Sequence, residues 1–100
     1  MDSARIDQFV CTMLSECNEA KDSDNLAIRQ ATGKPEGTYL SCSDIIEYII
    51  NTKDASVYLS GLRILTLMMF GGNGTEIPEE MAVKIVGKLI NQGFQKGLLS

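Results

Sequence analysis

Residues Val57 to Phe70, VYLSGLRILTLMMF, decide the fold class of this 100-residue chain. The stretch carries one charged side chain, Arg63, among Leu, Ile and Met residues that favour burial on most sides. Its composition predicts a helix that starts near residue 55, after Asp54 as N-cap, and ends at Gly71-Gly72. We therefore expect the rest of the chain to pack around this central apolar helix.

Gly61 and Arg63 are the two unusual residues of the predicted helix, and both are candidates for a structural role. Glycine inside a helix costs up to about 1 kcal/mol relative to alanine, so a closely packed neighbouring helix would explain Gly61. Arg63 needs an acidic partner if its side chain is covered, and Asp44 or Glu47 of the preceding helix are the candidates. The alternative is an arginine at the edge of the helix with its guanidinium in water.

The N-terminal third predicts two helices separated by a polar interruption. From Ser3 to Ala20 apolar residues recur at i, i+3, i+4 and i+7, which is typical of one buried helix face. Lys21 to Asp24 breaks this pattern with two aspartates and a serine, residues that favour helix caps over helix interiors. A second, short helix is expected from Asn25 to Thr32, ended by Gly33 and Pro35.

Two more helices are expected on either side of the central one. Ser41, with Asp44 three residues later, forms a variant of the capping box and predicts a helix from Cys42 to Asn51. Pro78 favours the first turn of a last helix that ends near Gly93. The sequence thus predicts an all-α fold, a compact bundle of about five helices around the central apolar helix.

Composition fits one globular domain, residues 1–100, and disfavours several function classes. Hydrophobic residues make up 44% of the chain and charged residues 22%. Nine Lys and Arg against thirteen Asp and Glu give a net charge of −4, which disfavours nucleic acid, because phosphate binding needs clustered cations. The longest apolar stretch is shorter than the roughly 20 residues that span a bilayer, so membrane insertion is not expected. Three cysteines without a CxxC pair and the lack of a basic, then apolar leader predict a cytoplasmic protein.

No motif in the sequence indicates catalysis, metal binding or cofactor binding, so we expect neither an enzyme nor a cofactor. The chain contains no histidine, which excludes Ser-His, Cys-His and His-metal arrangements within it. An EF-hand loop starting at Asp22 fails, because Leu26 and Ala27 stand where an oxygen ligand and a glycine are required. The acidic residues fall at helix starts or on polar faces, whereas a catalytic carboxylate pair needs one member in an apolar pocket.

Four apolar residues are candidates for contact with a partner protein: Met68, Met69, Phe70 and Phe94. The first three end a helix that is more apolar than a domain of this size requires, and methionine side chains adapt to irregular surfaces. The alternative is that these side chains fill the core beneath the last helix. A second copy of the chain is a further candidate partner, which would give a homo-oligomer.

Five short segments carry a resemblance to a known family: Ile28–Gln30, Asp44–Ile50, Leu62–Leu67, Asn73-Gly74 and Pro78–Glu80. With these segments the span from about Asn25 to Leu99 resembles a helical part of the third domain of the SM family, the syntaxin-binding regulators of SNARE-mediated vesicle fusion. The resemblance implies a non-enzymatic adaptor in vesicle transport, a protein-binding module whose partners are helices of the SNARE type.

A helix-turn-helix type nucleic-acid-binding module is the alternative function. The last helix and the ending Gly97-Leu98-Leu99 are similar to winged-helix modules, and Lys84, Lys88 and Lys96 would then contact phosphates. Only one helix fits before this ending, where such a module needs two, and the acidic net charge also disfavours this function.

Overall fold

A computed structural model describes residues 3–70 and 78–99, apart from some side chains of the first helix. These two ranges form an all-α bundle, which confirms the predicted fold class. Its helices are α1 (Ser3–Thr32), α2 (Cys42–Asn51), α3 (Ala55–Phe70) and α4 (Glu79–Gln95). The predicted helix end at Gly71-Gly72 and the Asn73-Gly74 segment lie outside the described residues.

None of the helices in residues 3–70 and 78–99 is both long and apolar enough to cross a bilayer.

The N-terminal third forms one helix where the sequence predicted two. α1 runs through Lys21 to Asp24 without a break, so the predicted interruption is wrong. Asp24 does not cap a helix, because its buried carboxylate accepts two hydrogen bonds from Arg63 of α3. This tertiary contact overrides the preference of Asp and Ser for helix ends.

α1 ends where the sequence placed its stop. Gly33 has a φ of +74°, a left-handed conformation that glycine adopts without a steric penalty. The amide of Lys34 donates to the carbonyl of Arg29 at 3.1 Å, which is the long hydrogen bond of a Schellman motif.

α2 and α3 begin at the predicted caps. The hydroxyl of Ser41 accepts from the Asp44 amide at 3.1 Å, and the Asp44 carboxylate accepts from the Ser41 amide at 3.1 Å, which confirms the capping box. At the start of α3, Oδ1 of Asp54 accepts from the amides of Ser56 and Val57 at 2.9 and 3.4 Å. These side chains satisfy amides that have no partner inside their own helix.

α3 packs against α1, α2 and α4. Its Tyr58 is the largest fully buried side chain among the described residues, and its hydroxyl donates to the carbonyl of Leu89 in α4. The core contains residues of all four helices together with one residue of the loop before α2 and one after α4: Met13, Ile28, Leu40, Ile45, Ile49, Tyr58, Leu62, Ile64, Leu65, Met69, Ala82, Val86, Leu89, Ile90 and Leu99.

Gly61 lies where α3 comes close to both α1 and α2. A Cβ atom built on Gly61 would overlap Cγ2 of Ile49 in α2 and would lie 3.3 Å from Cδ1 of Ile28 in α1. Only a residue without a side chain fits this contact unless a neighbour moves.

α4 continues to Gln95, beyond its predicted end at Gly93. Gly93 is buried, and a Cβ there would lie 2.7 Å from Cε1 of Tyr58, so this glycine serves packing. The helix stops at Gly97 instead, where φ is +73° and the Leu98 amide donates to the Gly93 carbonyl at 2.9 Å.

Candidate functional site

Arg63 joins α3 to the middle of α1 through a two-pronged ion pair. Its Nε and Nη2 donate to Oδ2 and Oδ1 of Asp24 at 2.7 and 2.8 Å. The Asp24 side chain is 3% exposed and the Arg63 side chain 21% exposed. Nη1 of Arg63 also lies 3.9 Å from the carboxylate of Glu16, which is mostly in water. Planar guanidinium and carboxylate groups in this arrangement form the strongest type of protein ion pair.

The partners predicted for Arg63 are wrong. Asp44 instead accepts a hydrogen bond from Nζ of Lys34 at 3.0 Å and caps α2, while Glu47 lies exposed on α2. The hydrogen bond from Lys34, with those from Ser41, holds the pKa of Asp44 below its ordinary value. The carboxylate of Asp44 is bonded at the start of its own helix and does not contact Arg63.

An open groove of about 900 Å³ lies between the C-terminal half of α1, the loop of residues 33–41 and the end of α3. Leu40 and Ile64 supply buried apolar surface to it, and half-buried Met68 lines it. Two large side chains of the groove are open to water: Leu26 of α1, 58% exposed, and Tyr39 of the loop, 81% exposed. The groove thus offers a concave apolar surface with exposed apolar groups at its edge.

Arg29 connects α1 to the loop that forms one side of the groove. Its Nε donates to Oδ1 of Asn25 at 2.7 Å, and its Nη1 donates to the Pro35 carbonyl at 2.8 Å and to Oγ1 of Thr38 at 3.3 Å. This side chain ties the loop of residues 33–41 to α1. The loop that forms this wall of the groove is therefore hydrogen-bonded to α1 at Pro35 and Thr38.

The charges along the α1 side of the groove are those of Lys21, Asp22 and Arg29. Within the part of the chain that the structure describes, neither Lys21 nor Arg29 has a carboxylate within 4.0 Å. Lys34 also lines the groove, but its charge is paired with Asp44. The α1 side therefore carries a net positive charge, while Glu36 adds a negative charge on the loop side of the groove.

The four residues proposed from sequence for partner contact lie in different environments. Met68 lines the groove, whereas Met69 is 7% exposed and belongs to the core. Phe70 is half-buried against that core. Phe94 packs edge to face on Phe9 of α1, with ring centroids 5.6 Å apart. Of the four, Met68 alone is among the described residues that line the groove.

Sequence reasoning missed Leu26 and Tyr39 as surface residues. Tyr39 stands in a polar connection between helices, and an aromatic residue in such a loop was the available signal. Leu26 had no such signal, since its position is compatible with the apolar face of a short helix.

Residues 3–70 and 78–99 contain no cluster of side chains suited to bind a metal ion. No group of three or more Cys, Asp or Glu side chains there could hold a metal ion. Of the lysines considered for phosphate contact, Lys84 and Lys88 are exposed on α4, while Nζ of Lys96 donates to the Ile50 carbonyl at 3.0 Å.

Comparisons with family models, with curated proteins and with solved structures found no significant match to this chain. The groove and the Asp24–Arg63 pair are therefore interpreted from their own geometry.

Proposed function

We propose that this chain is a non-enzymatic protein–protein interaction module, an adaptor that binds an amphipathic helix of a partner in the groove between α1 and α3. The observation that carries the proposal is the exposure of Leu26 and Tyr39, 58% and 81%, at the edge of an apolar concave surface. Exposed apolar side chains around such a surface are typical of protein interaction sites.

A helix is the occupant that suits this groove. Helix-in-groove recognition places apolar residues at i, i+3, i+4 and i+7 into a hydrophobic cleft, and Leu26, Met68 and Tyr39 would receive them. Lys21 and Arg29 outnumber Asp22 on the α1 side, so acidic residues along one flank of the partner helix would complement that side.

The most specific context that we propose is vesicle fusion in the cytoplasm, with SNARE-type helices as the partners. The support for this context is the resemblance of Asn25 to Leu99 to a helical part of the SM family. The groove supports helix binding as such, independently of the family to which the helix belongs.

Binding is tested with fluorescently labelled peptides of SNARE motifs and with a designed acidic amphipathic helix, titrated with the full chain. We expect saturable binding that Leu26→Ser and Tyr39→Ser each weaken by about tenfold or more, since each removes an apolar contact worth at least about 1.4 kcal/mol. Val83→Ser is the matched control, because Val83 of α4 is 49% exposed and does not line the groove.

Light scattering on the same samples distinguishes the occupants. A monomer that binds none of these helices would contradict the proposal. A dimer that Leu26→Ser dissociates would show that a second copy of the chain occupies the groove, and the partner-helix proposal would then be wrong. Binding of the designed helix but of no SNARE peptide would remove the vesicle-fusion context and keep the helix-binding function.

A further inference from the structure

The middle of α1 is helical although its sequence favours an interruption. Lys21 to Asp24 contains two aspartates and one serine, whose side chains compete with the backbone for hydrogen bonds and so disfavour helix interiors. Lys21, Asp22 and Ser23 are exposed, so burial of their side chains does not hold the segment in place. The buried side chain of this segment is that of Asp24.

Arg63 supplies a tertiary contact to this segment. It reaches Asp24 with two hydrogen bonds of 2.7 and 2.8 Å, across 39 residues of sequence. Its third nitrogen lies 3.9 Å from Glu16, about two turns earlier in α1. One guanidinium on α3 therefore faces carboxylates on both sides of Lys21 and Asp22.

The two halves of α1 have separate anchors in the core. In the N-terminal half, Met13 is 2% exposed and the Phe9 ring packs on Phe94 of α4. In the C-terminal half, Ile28 is fully buried beside Gly61 of α3, and Arg29 is bonded to the following loop. Each half of α1 therefore has a buried contact of its own.

We propose that the Asp24–Arg63 pair is a latch that keeps α1 continuous, and that its opening lets α1 bend at Lys21 to Asp24. Residues 3–20 then separate from α4, while residues 26–32 stay on α3. Phe94 loses its edge-to-face contact with the Phe9 ring, so an apolar surface on α4 becomes more accessible. This device goes beyond the groove function and does not require a partner in the groove.

Hydrogen exchange measured by mass spectrometry on the full chain tests the latch. Asp24→Asn keeps the size of the side chain and one acceptor for Arg63 but removes the charge. We expect amides of residues 7–20 to exchange about tenfold faster or more, because a hydrogen bond to a charged group is lost. Amides of residues 26–32 and 58–69 are expected to keep their wild-type protection.

A second variant separates the latch from a general packing role. Adding Asp22→Ala to Asp24→Asn raises the helix propensity at an exposed position without touching the core. Such a helix needs the latch less, so we expect several-fold slower exchange in residues 7–20 than with Asp24→Asn alone. Lys34→Met, which removes the Lys34–Asp44 pair outside α1, is the matched control and should leave that region unchanged.

Tryptic cleavage gives an independent readout. Lys21 lies in the segment proposed to bend and Arg29 lies beyond it, so Asp24→Asn should accelerate cleavage after Lys21 more than cleavage after Arg29. Unchanged exchange in residues 7–20, equal acceleration in α1, α2, α3 and α4, or no recovery with the added alanine would each overturn the proposal.

Discussion

Gly61 determines how closely α3 can lie against its neighbours. Gly61→Ala is expected to lower the free energy of unfolding by about 1 to 3 kcal/mol, because the new methyl group overlaps Cγ2 of Ile49 and crowds Cδ1 of Ile28. This cost exceeds the gain of up to about 1 kcal/mol that alanine gives to a helix interior. Urea denaturation followed by circular dichroism measures the difference.

Ile49→Leu is the matched test of that contact, because leucine has no methyl group on Cβ and so lacks the Cγ2 atom. The double variant should be more stable than the sum of the two single changes predicts. Strict additivity would show that the close contact at Ile49 is not the cause of the destabilisation.

At the residue scale the sequence identified unusual residues but not their partners. The cost of a helical glycine pointed to close packing at Gly61, and an arginine in an apolar helix pointed to an acidic partner for Arg63. Asp24 was missed as that partner because its neighbours Asp22 and Ser23 also favour a helix cap. A pattern read along the chain cannot show that a residue 39 positions away meets this aspartate.

The ionised carboxylate of Asp44 stabilises the start of α2, so the stability of this helix should depend on pH. The hydrogen bond from Lys34 and those from Ser41 lower the pKa of Asp44 below its ordinary value of 3.8. A carboxyl group with a lowered pKa in the folded state stabilises that state above its unfolded pKa, and the stabilisation is lost as pH falls through the folded pKa. Asp44 therefore contributes fully above about pH 4 and progressively less in more acidic solution.

We expect Asp44→Asn to be less stable than the wild type at pH 6 and to lose less stability when the solution is acidified from pH 5 to pH 2. Lys34→Met removes the largest cause of the lowered pKa of Asp44. Its loss of stability on acidification should lie between those of the wild type and Asp44→Asn. The measurement is the midpoint of thermal unfolding across this pH range. Parallel pH profiles for all three proteins would contradict the role assigned to Asp44.

At the element scale, the sequence predicted those helix ends that are determined by contacts between residues close together in the chain. The caps at Ser41 and Asp54 gave the starts of α2 and α3, since cap and helix lie within a few residues of each other. The end of α4 was placed at Gly93 because glycine commonly stops helices, yet Gly93 packs on Tyr58 and Gly97 makes the stop. Either glycine satisfies the same local rule, and only the approach of α3 distinguishes them.

The whole molecule is expected to unfold in one cooperative transition, because α3 packs against each of the other helices. Its Cα radius of gyration is 12.6 Å, close to the roughly 13 Å of a compact domain with 100 residues. Far-UV circular dichroism reports the helices, and tyrosine fluorescence includes buried Tyr58 in a chain without tryptophan. The two unfolding curves should coincide in urea, and separate curves for the wild type would contradict this prediction.

At the scale of the whole molecule, the all-α class followed from helical periodicity, while the groove did not. Leu26 of α1 and Met68 of α3 both line the groove, because these two helices pack against each other. The predicted break at Lys21 to Asp24 left undefined how the segment that carries Leu26 would lie against α3. The packing of α1 on α3, which forms the surface proposed for function, could therefore not be predicted from the sequence pattern.

The ion pair between Asp24 and Arg63 joins two residues that are synthesised at different times. Asp24 is synthesised 39 residues before Arg63, and at about 5 to 20 residues per second this gap lasts about 2 to 8 seconds. During that interval Asp24 cannot form its ion pair with Arg63, and α3 is not yet complete. The contact that joins the middle of α1 to α3 can therefore form only after Arg63 has been added to the chain.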